Sequence, residues 1–190
     1  KRGNKNTIEK LNLSDNKIRG KLHAKTEKKQ VGRIVKDEPV TGPLSELINM
    51  LKTKKCTITE LSLSGNPLGD GGGVSLAKGL KSNNSLTSLD LKMSGLDDKA
   101  AAAIGNALKF NSMLESLDVS FNRYGDRGAA ALSEGIRRNE TLQNIDASHT
   151  HISQTGVRAL LAAVETLAGG DDLARNVRLD GTDLGLSKFQ

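Results

Sequence analysis

Three aspartates, Asp90, Asp118 and Asp146, recur 28 residues apart in the 190-residue chain, each directly after a leucine or isoleucine. Carboxylates at a fixed interval could face a cation or a basic partner if the fold brings them side by side. The neighbouring residues hold the letters of other chemistries, and each fails on spacing. Asp146, Ser148 and His149 resemble a hydrolase triad, but they share one short stretch with no nucleophile elbow or oxyanion hole. His149 and His151 flank Thr150 with no third ligand in reach, so no metal site is expected. The run Gly69-Asp70-Gly71-Gly72-Gly73 looks like a phosphate cradle but lacks the Gly-Lys-Ser/Thr of a P-loop, and it reads as a turn. Cys56 has no base nearby in sequence and reads as a buried or half-buried thiol. No catalytic residue, metal or cofactor is expected, and the chain reads as non-enzymatic.

What positions the aspartates is a repeat. Leu86, Leu89, Leu91 and Leu96 reappear as Leu114, Leu117, Val119 and Tyr124, and Ala101, Ile104 and Leu108 reappear as Ala129, Leu132 and Ile136. A period of this length means a solenoid, whose units cannot bury their apolar faces without neighbours. Earlier units use Ile8, Leu11, Leu13, Asn16 and Ile18, then Ile58, Leu61, Leu63, Asn66 and Leu68. Later ones use Leu142, Ile145, Ala147, Thr150 and Ile152, then Val177, Leu179, Thr182 and Leu184. Leucines two apart share one face of a short strand. Behind each strand the apolar spacing becomes helical, first in Leu44, Leu47, Ile48 and Leu51 after Pro43.

The pattern L-x-x-L-x-L-x-x-N/S/T-x-L, followed by a helix-period segment, resembles leucine-rich repeats, and units near 28 residues resemble their ribonuclease-inhibitor-like subclass. Where a segment ends in Asn and enters the next strand, as from Asn83 to Leu91 and from Asn139 to Asp146, the phrasing is similar to CARMIL and tropomodulin repeats. Ran GTPase-activating protein and Nod-like receptors carry similar units. The resemblance implies an α/β solenoid of about five to six repeats, with a parallel sheet on the concave face and α-helices on the convex face. It implies one domain over residues 1–190, part of a longer array.

On that frame, the residues between the leucines face the concave side. One column holds Asn12, Ser62, Asp90, Asp118, Asp146 and Arg178, with successive aspartates about 5 Å apart. Like charges facing each other weaken a sheet, so the row is either a site for a basic partner or a by-product of duplication on a wet face. A second column holds Asp15, Gly65, Met93, Phe121, His149 and Gly181. Exposed Met93, Phe121 and His149 beside carboxylates have the composition of a binding hot spot, unless Phe121 folds over the next turn. Asn16, Asn66, Ser94, Asn122, Thr150 and Thr182 should form an internal polar ladder, and Asp70, Asp98 and Asp126 should cap the helices they precede.

Charge is unevenly divided. Residues 1–55 hold 15 Lys+Arg against 6 Asp+Glu, although the whole chain carries only +6. Much of the excess falls in an insertion at 19–40 between the first strand and first helix, with Arg19, Lys21, Lys25, Lys28, Lys29, Arg33 and Lys36. A hairpin or a mobile loop would both fit it. A basic end points to an acidic protein or another polyanion such as RNA or an anionic membrane. Aromatics at 2% with Trp 0 leave base stacking without support. One cysteine, and no apolar run long enough to span a bilayer, fit a cytoplasmic, cytoskeleton-associated protein. The expected function is a protein-interaction scaffold in a cytoskeletal, flagellar or other large assembly. Regulation of an enzyme or GTPase, and anionic-surface binding through the insertion, are the alternatives.

Overall fold

The computed structural model describes residues 8–19, 42–165 and 176–181. The elements alternate: β1 (Lys10–Asn12), α1 (Pro43–Leu51), β2 (Glu60–Ser62), α2 (Gly69–Leu80), β3 (Ser88–Asp90), α3 (Asp98–Leu108), β4 (Ser116–Asp118), α4 (Asp126–Arg137), β5 (Asn144–Asp146), α5 (Gln154–Glu165) and β6 (Asn176–Arg178). All six strands pair in parallel in chain order, which gives the expected α/β solenoid with the sheet on the concave face and helices on the convex one. The insertion lies outside the described residues except for Arg19, which is exposed.

Each strand is three residues long because only its central side chain faces inward. Leu61, Leu89, Leu117 and Ile145 are at most 5% exposed, and each pairs with its equivalent in the next strand. They meet an inward helical stripe, for example Ala101, Ile104 and Leu108 of α3, in one continuous core. Burying a leucine side chain contributes about 1.5–3 kcal/mol. That gain is repeated in every layer, so a core almost without aromatics suffices. Tyr124, which occupies a leucine position, is fully buried.

Two polar ladders tie the layers together. In the expected one, Asn122 Nδ2 donates to the carbonyls of Leu91, Val119 and Ser120, while its Oδ1 accepts from the Ser94 and Leu96 amides. Asn66 does the same for Leu13, Leu63 and Ser64, and accepts from Ile18. Ser94 and Thr150 continue this ladder with one hydroxyl each, donated to Leu63 O and Ala147 O. Asn16 departs from the expectation: it is exposed and donates to Ser14 O within its own turn. Thr182 lies outside the described residues. The second ladder, Asn83, Asn111 and Asn139, joins helix ends to strands. Asn111 donates to Leu80 O and Asn83 O and accepts from Met113 N and Leu114 N. Asn139 repeats this on Leu108 O and Asn111 O, one layer on.

The capping expectation needs correcting. Asp98 and Asp126 cap the helix of the following repeat, not their own. Asp98 Oδ1 accepts from Gly125 N and Gly128 N at the start of α4, and Asp126 Oδ1 accepts from Ser153 N and Gly156 N at the start of α5. The cap of α3 is Asp97, bonded to the Lys99 and Ala100 amides. The physical reason is position: Asp98 and Asp126 are already inside the helix, where side chains lean back toward the N-terminus, and there they meet the next unit. Asp70 follows the same rule, accepting from Asp97 N at 3.3 Å. The Gly69–Gly73 run is likewise the first turn of α2, not a loop. A Cβ on Gly73 would come within 2.6 Å of Ala100 Cβ, so glycine there lets α2 approach α3.

Candidate functional site

The strand register brings the first column together as expected: Ser62, Asp90, Asp118, Asp146 and Arg178 lie opposite one another on successive strands. The aspartates are half-buried, and each already has local work. Asp118 Oδ1 accepts from Ser120 N at 2.9 Å and Ser120 Oγ at 2.6 Å, and Asp146 does the same with Ser148 at 2.9 and 2.5 Å. Asp90 Oδ1 accepts from Lys92 N, and its Oδ2 accepts from Ser62 Oγ. These are Asx turns, in which a side chain replaces the backbone acceptor lost when the strand ends. Asn12 makes the same turn with Ser14 N, so the turn needs an oxygen and not a charge. Repeat spacing alone does not disclose this role.

The aspartates of this row also act on one another. Burial raises the Asp118 carboxyl above its ordinary range against the pull of its Ser120 bonds, and the fields of Asp146 and Asp90 push the same way. Arg178 extends the row but turns to Asp180, with Nε to Oδ2 at 2.9 Å. Beside the carboxylates, Ser116, Asn144 and Asn176 form a neutral polar row, and with Asp118, Asp146 and Arg178 they border one groove. Three carboxylates thus share the concave surface, with Arg178 at the end of their row bonded to Asp180 and within the field of Asp146 and Asp118.

The second column shares a backbone conformation that spacing alone did not disclose. Asp15, Met93, Phe121 and His149 have φ between 52° and 57°, and Gly65 and Gly181 have φ of 68° and 62°. Every unit therefore leaves its strand through one left-handed residue, a conformation that glycine adopts freely and that costs other residues roughly 1–2 kcal/mol. Three successive units place Met, Phe and His there. Met93 is 57% exposed, Phe121 43%, and His149 is also exposed. Phe121 does lean onto the next turn, stacking on His149 with ring centres 4.2 Å apart at 26°. It remains accessible all the same. Lys92 Nζ lies 4.7 Å from the Phe121 ring centre, and a Cβ on Gly181 would fall 2.2 Å from His149 Nδ1. A cation, two rings and a glycine thus follow one another along the strand exits. Sequence reading missed Lys92, whose place is clear only once the turn is known.

His149 and His151 join no metal-binding cluster: among the described residues, no group of three His, Cys, Asp or Glu could hold an ion. Cys56 is half-buried and packs against the core. No helix among the described residues is long and apolar enough to cross a membrane.

The leucine-rich repeat family model matches residues 4–21, 54–77, 82–105 and 110–133. No curated protein matches the sequence. Among solved structures, a chain titled "Leiomodin-1 Actin-Binding Site 2 (ABS2)" is similar at 21% identity with a TM-score of 0.53, over 65% of this chain and 71% of that one. At that identity the likeness is one of fold.

Proposed function

We propose that this leucine-rich repeat chain is a non-enzymatic scaffold gripping a basic protein surface along its concave face. One observation carries this reading: Met93, Phe121 and His149 are held exposed in a left-handed backbone, where two other units use glycine and the first uses Asp15. Strain kept at successive positions is a sign of use. The adjoining row of Asp90, Asp118 and Asp146 supplies the sign of the partner. A Lys or Arg entering the groove would meet carboxylates whose Asx-turn bonds already fix their direction, and it would relieve their mutual repulsion. The rings and Met93 would supply apolar area at the rim.

We place the protein in a cytoplasmic, cytoskeletal setting, a choice supported by the lone Cys56 and by the structural neighbour whose title names actin binding. Actin is accordingly the first purified partner to test. The decisive experiment is crosslinking capture from the source cell with three baits: the intact chain, the triple Asp90→Asn/Asp118→Asn/Asp146→Asn variant, and a chain with residues 19–40 replaced by a short turn. Asn keeps the turn-forming oxygen, as Asn12 demonstrates, so the triple variant changes charge without unfolding the strand exits. Partners lost only with the triple variant would support the concave reading. Partners lost only with the deletion, and weakened by salt, would move function to Arg19 and the basic residues after it, in favour of a polyanion. Capture unchanged by either variant would sink both.

A further inference from the structure

The convex surface carries a second feature that the concave reading does not use. Between α2 and α3 runs a groove bordered by Val74, Ala77, Ala103 and Ala107, closed at one end by Phe110. Phe110 is 63% exposed, the largest exposure among the large apolar side chains of the described residues. Lys81 Nζ sits 3.9 Å from the centre of its ring. Lys78 and Asn106 line the same groove. Neither lysine makes a salt bridge among the described residues. The carboxylates of these two helices, Asp70 and Asp98, are at the opposite ends and spent on amides of the next repeat. One helix pair on, the charges are arranged differently: Glu134 of α4 is paired with both Arg137 and Arg138.

From these observations we propose that the α2–α3 groove is a docking site for an acidic amphipathic helix of a protein partner. The floor suits a helix because alanines let a third backbone come close, so that a ridge of leucine-sized side chains can lie between two parallel helices. Phe110 supplies an aromatic anchor at the end of that ridge. Lys78 and Lys81 fix the sign: a carboxylate one turn from the apolar ridge reaches an unpaired ammonium, and Lys81 is already held in place by the ring. A basic or neutral helix would leave both lysines desolvated and unmatched. The site is independent of the concave face, and the scaffold would then hold two partners of opposite charge on its two sides.

The test is selection of a displayed library of helix-forming peptides, each about 16 residues or some 24 Å long, against the intact chain. Enriched peptides are then measured by fluorescence anisotropy against the intact chain, Phe110→Ala, and Lys78→Glu/Lys81→Glu. All three substituted side chains are exposed, and matching circular-dichroism melts verify that the variants are folded. The expected result is a set of peptides with Asp or Glu flanking an i, i+3, i+4 apolar ridge, weakened about tenfold or more by either variant. Exchanging their acidic residues for lysine should abolish binding to the intact chain and restore it to the double glutamate variant. Enrichment of neutral or basic peptides, indifference to Phe110→Ala, or no enrichment would overturn the proposal. Self-association by sedimentation that is lost in Phe110→Ala would also overturn it, making the groove a contact between copies of this chain.

Discussion

At the scale of the residue, the left-handed turn is where stability and use come apart. Met93 holds φ 54° with its side chain largely in solvent, so little packing offsets the backbone cost. Met93→Gly should leave the protein as stable as before or up to about 1 kcal/mol more stable, because relief of the turn is partly cancelled by glycine's greater freedom when unfolded. Denaturant titration reads that outcome, and the same variant should bind the concave partner more weakly. A clear loss of stability would show that Met93 is packed for structure. Acid titration isolates a second residue. Burial, then the Asp97 side chain, raise Asp70 to about 6, while hydrogen bonds from Asp70 and from the Ala100 and Lys99 amides outweigh burial and hold Asp97 below its ordinary value. The folded state therefore keeps the Asp70 proton where the unfolded chain has released it. Its contribution to stability is greatest near pH 4 and is lost as pH rises through about 6; Asp97 contributes in the opposite sense, losing stability as the solution becomes more acid. Asp70→Asn keeps an oxygen for Asp97 N and an N–H for the Asp97 carboxylate. Thermal melts should place it above the native protein beyond pH 6, with the gap closing toward pH 4. A gap independent of pH would rule out the shared proton. The column of Met93, Phe121 and His149 was legible in the sequence as neighbours, because alignment of repeats is enough for that. Its strain was not, since only Gly65 and Gly181 hinted at a φ requirement and three bulky residues concealed it.

At the scale of the element, capping runs between units. Asp98 reaches from the first turn of α3 to two amides at the start of α4. Asp98→Ala should therefore cost about 1 kcal/mol, in the usual range for a lost cap, and hydrogen exchange should place the damage in the first turn of α4, with α3 still protected by Asp97. Faster exchange at the start of α3 alone would restore the intra-helix reading. The strands, helices and register all follow from the leucine spacing, since an apolar residue every second or every third-to-fourth position admits only one facing. The direction of the caps does not follow. A carboxylate at a helix start can reach its own amides or its neighbour's, and the choice depends on a lateral distance that no single repeat encodes. The Asx role of Asp90, Asp118 and Asp146 was hidden for a similar reason: side chains taken for a surface row also close the turns beneath it.

At the scale of the whole molecule, the layers share one apolar core and two polar ladders, and α3 and α4 also meet backbone to backbone. A Cβ on Gly135 would lie 2.1 Å from Gly105 O, and one on Gly105 would lie 2.3 Å from Ala131 O, so α3 and α4 meet backbone to backbone at the middle of the array. In a solenoid, stability is a sum of weak units and favourable interfaces, and a cooperative transition requires that each interface hold its neighbours together. Gly135→Ala forces α3 and α4 apart at the central interface while leaving both ladders with all their side chains. The expected cost is about 2–3 kcal/mol, above the range of an ordinary overpacked site's minimum because the obstacle is backbone that cannot rotate away. The form of the transition is more telling than the cost. If the two halves are coupled mainly through this contact, urea unfolding should broaden and its apparent m-value should fall, since less surface is exposed in any one step. An unchanged slope with a shifted midpoint would mean that the continuous core and the two Asn ladders carry the coupling without this contact.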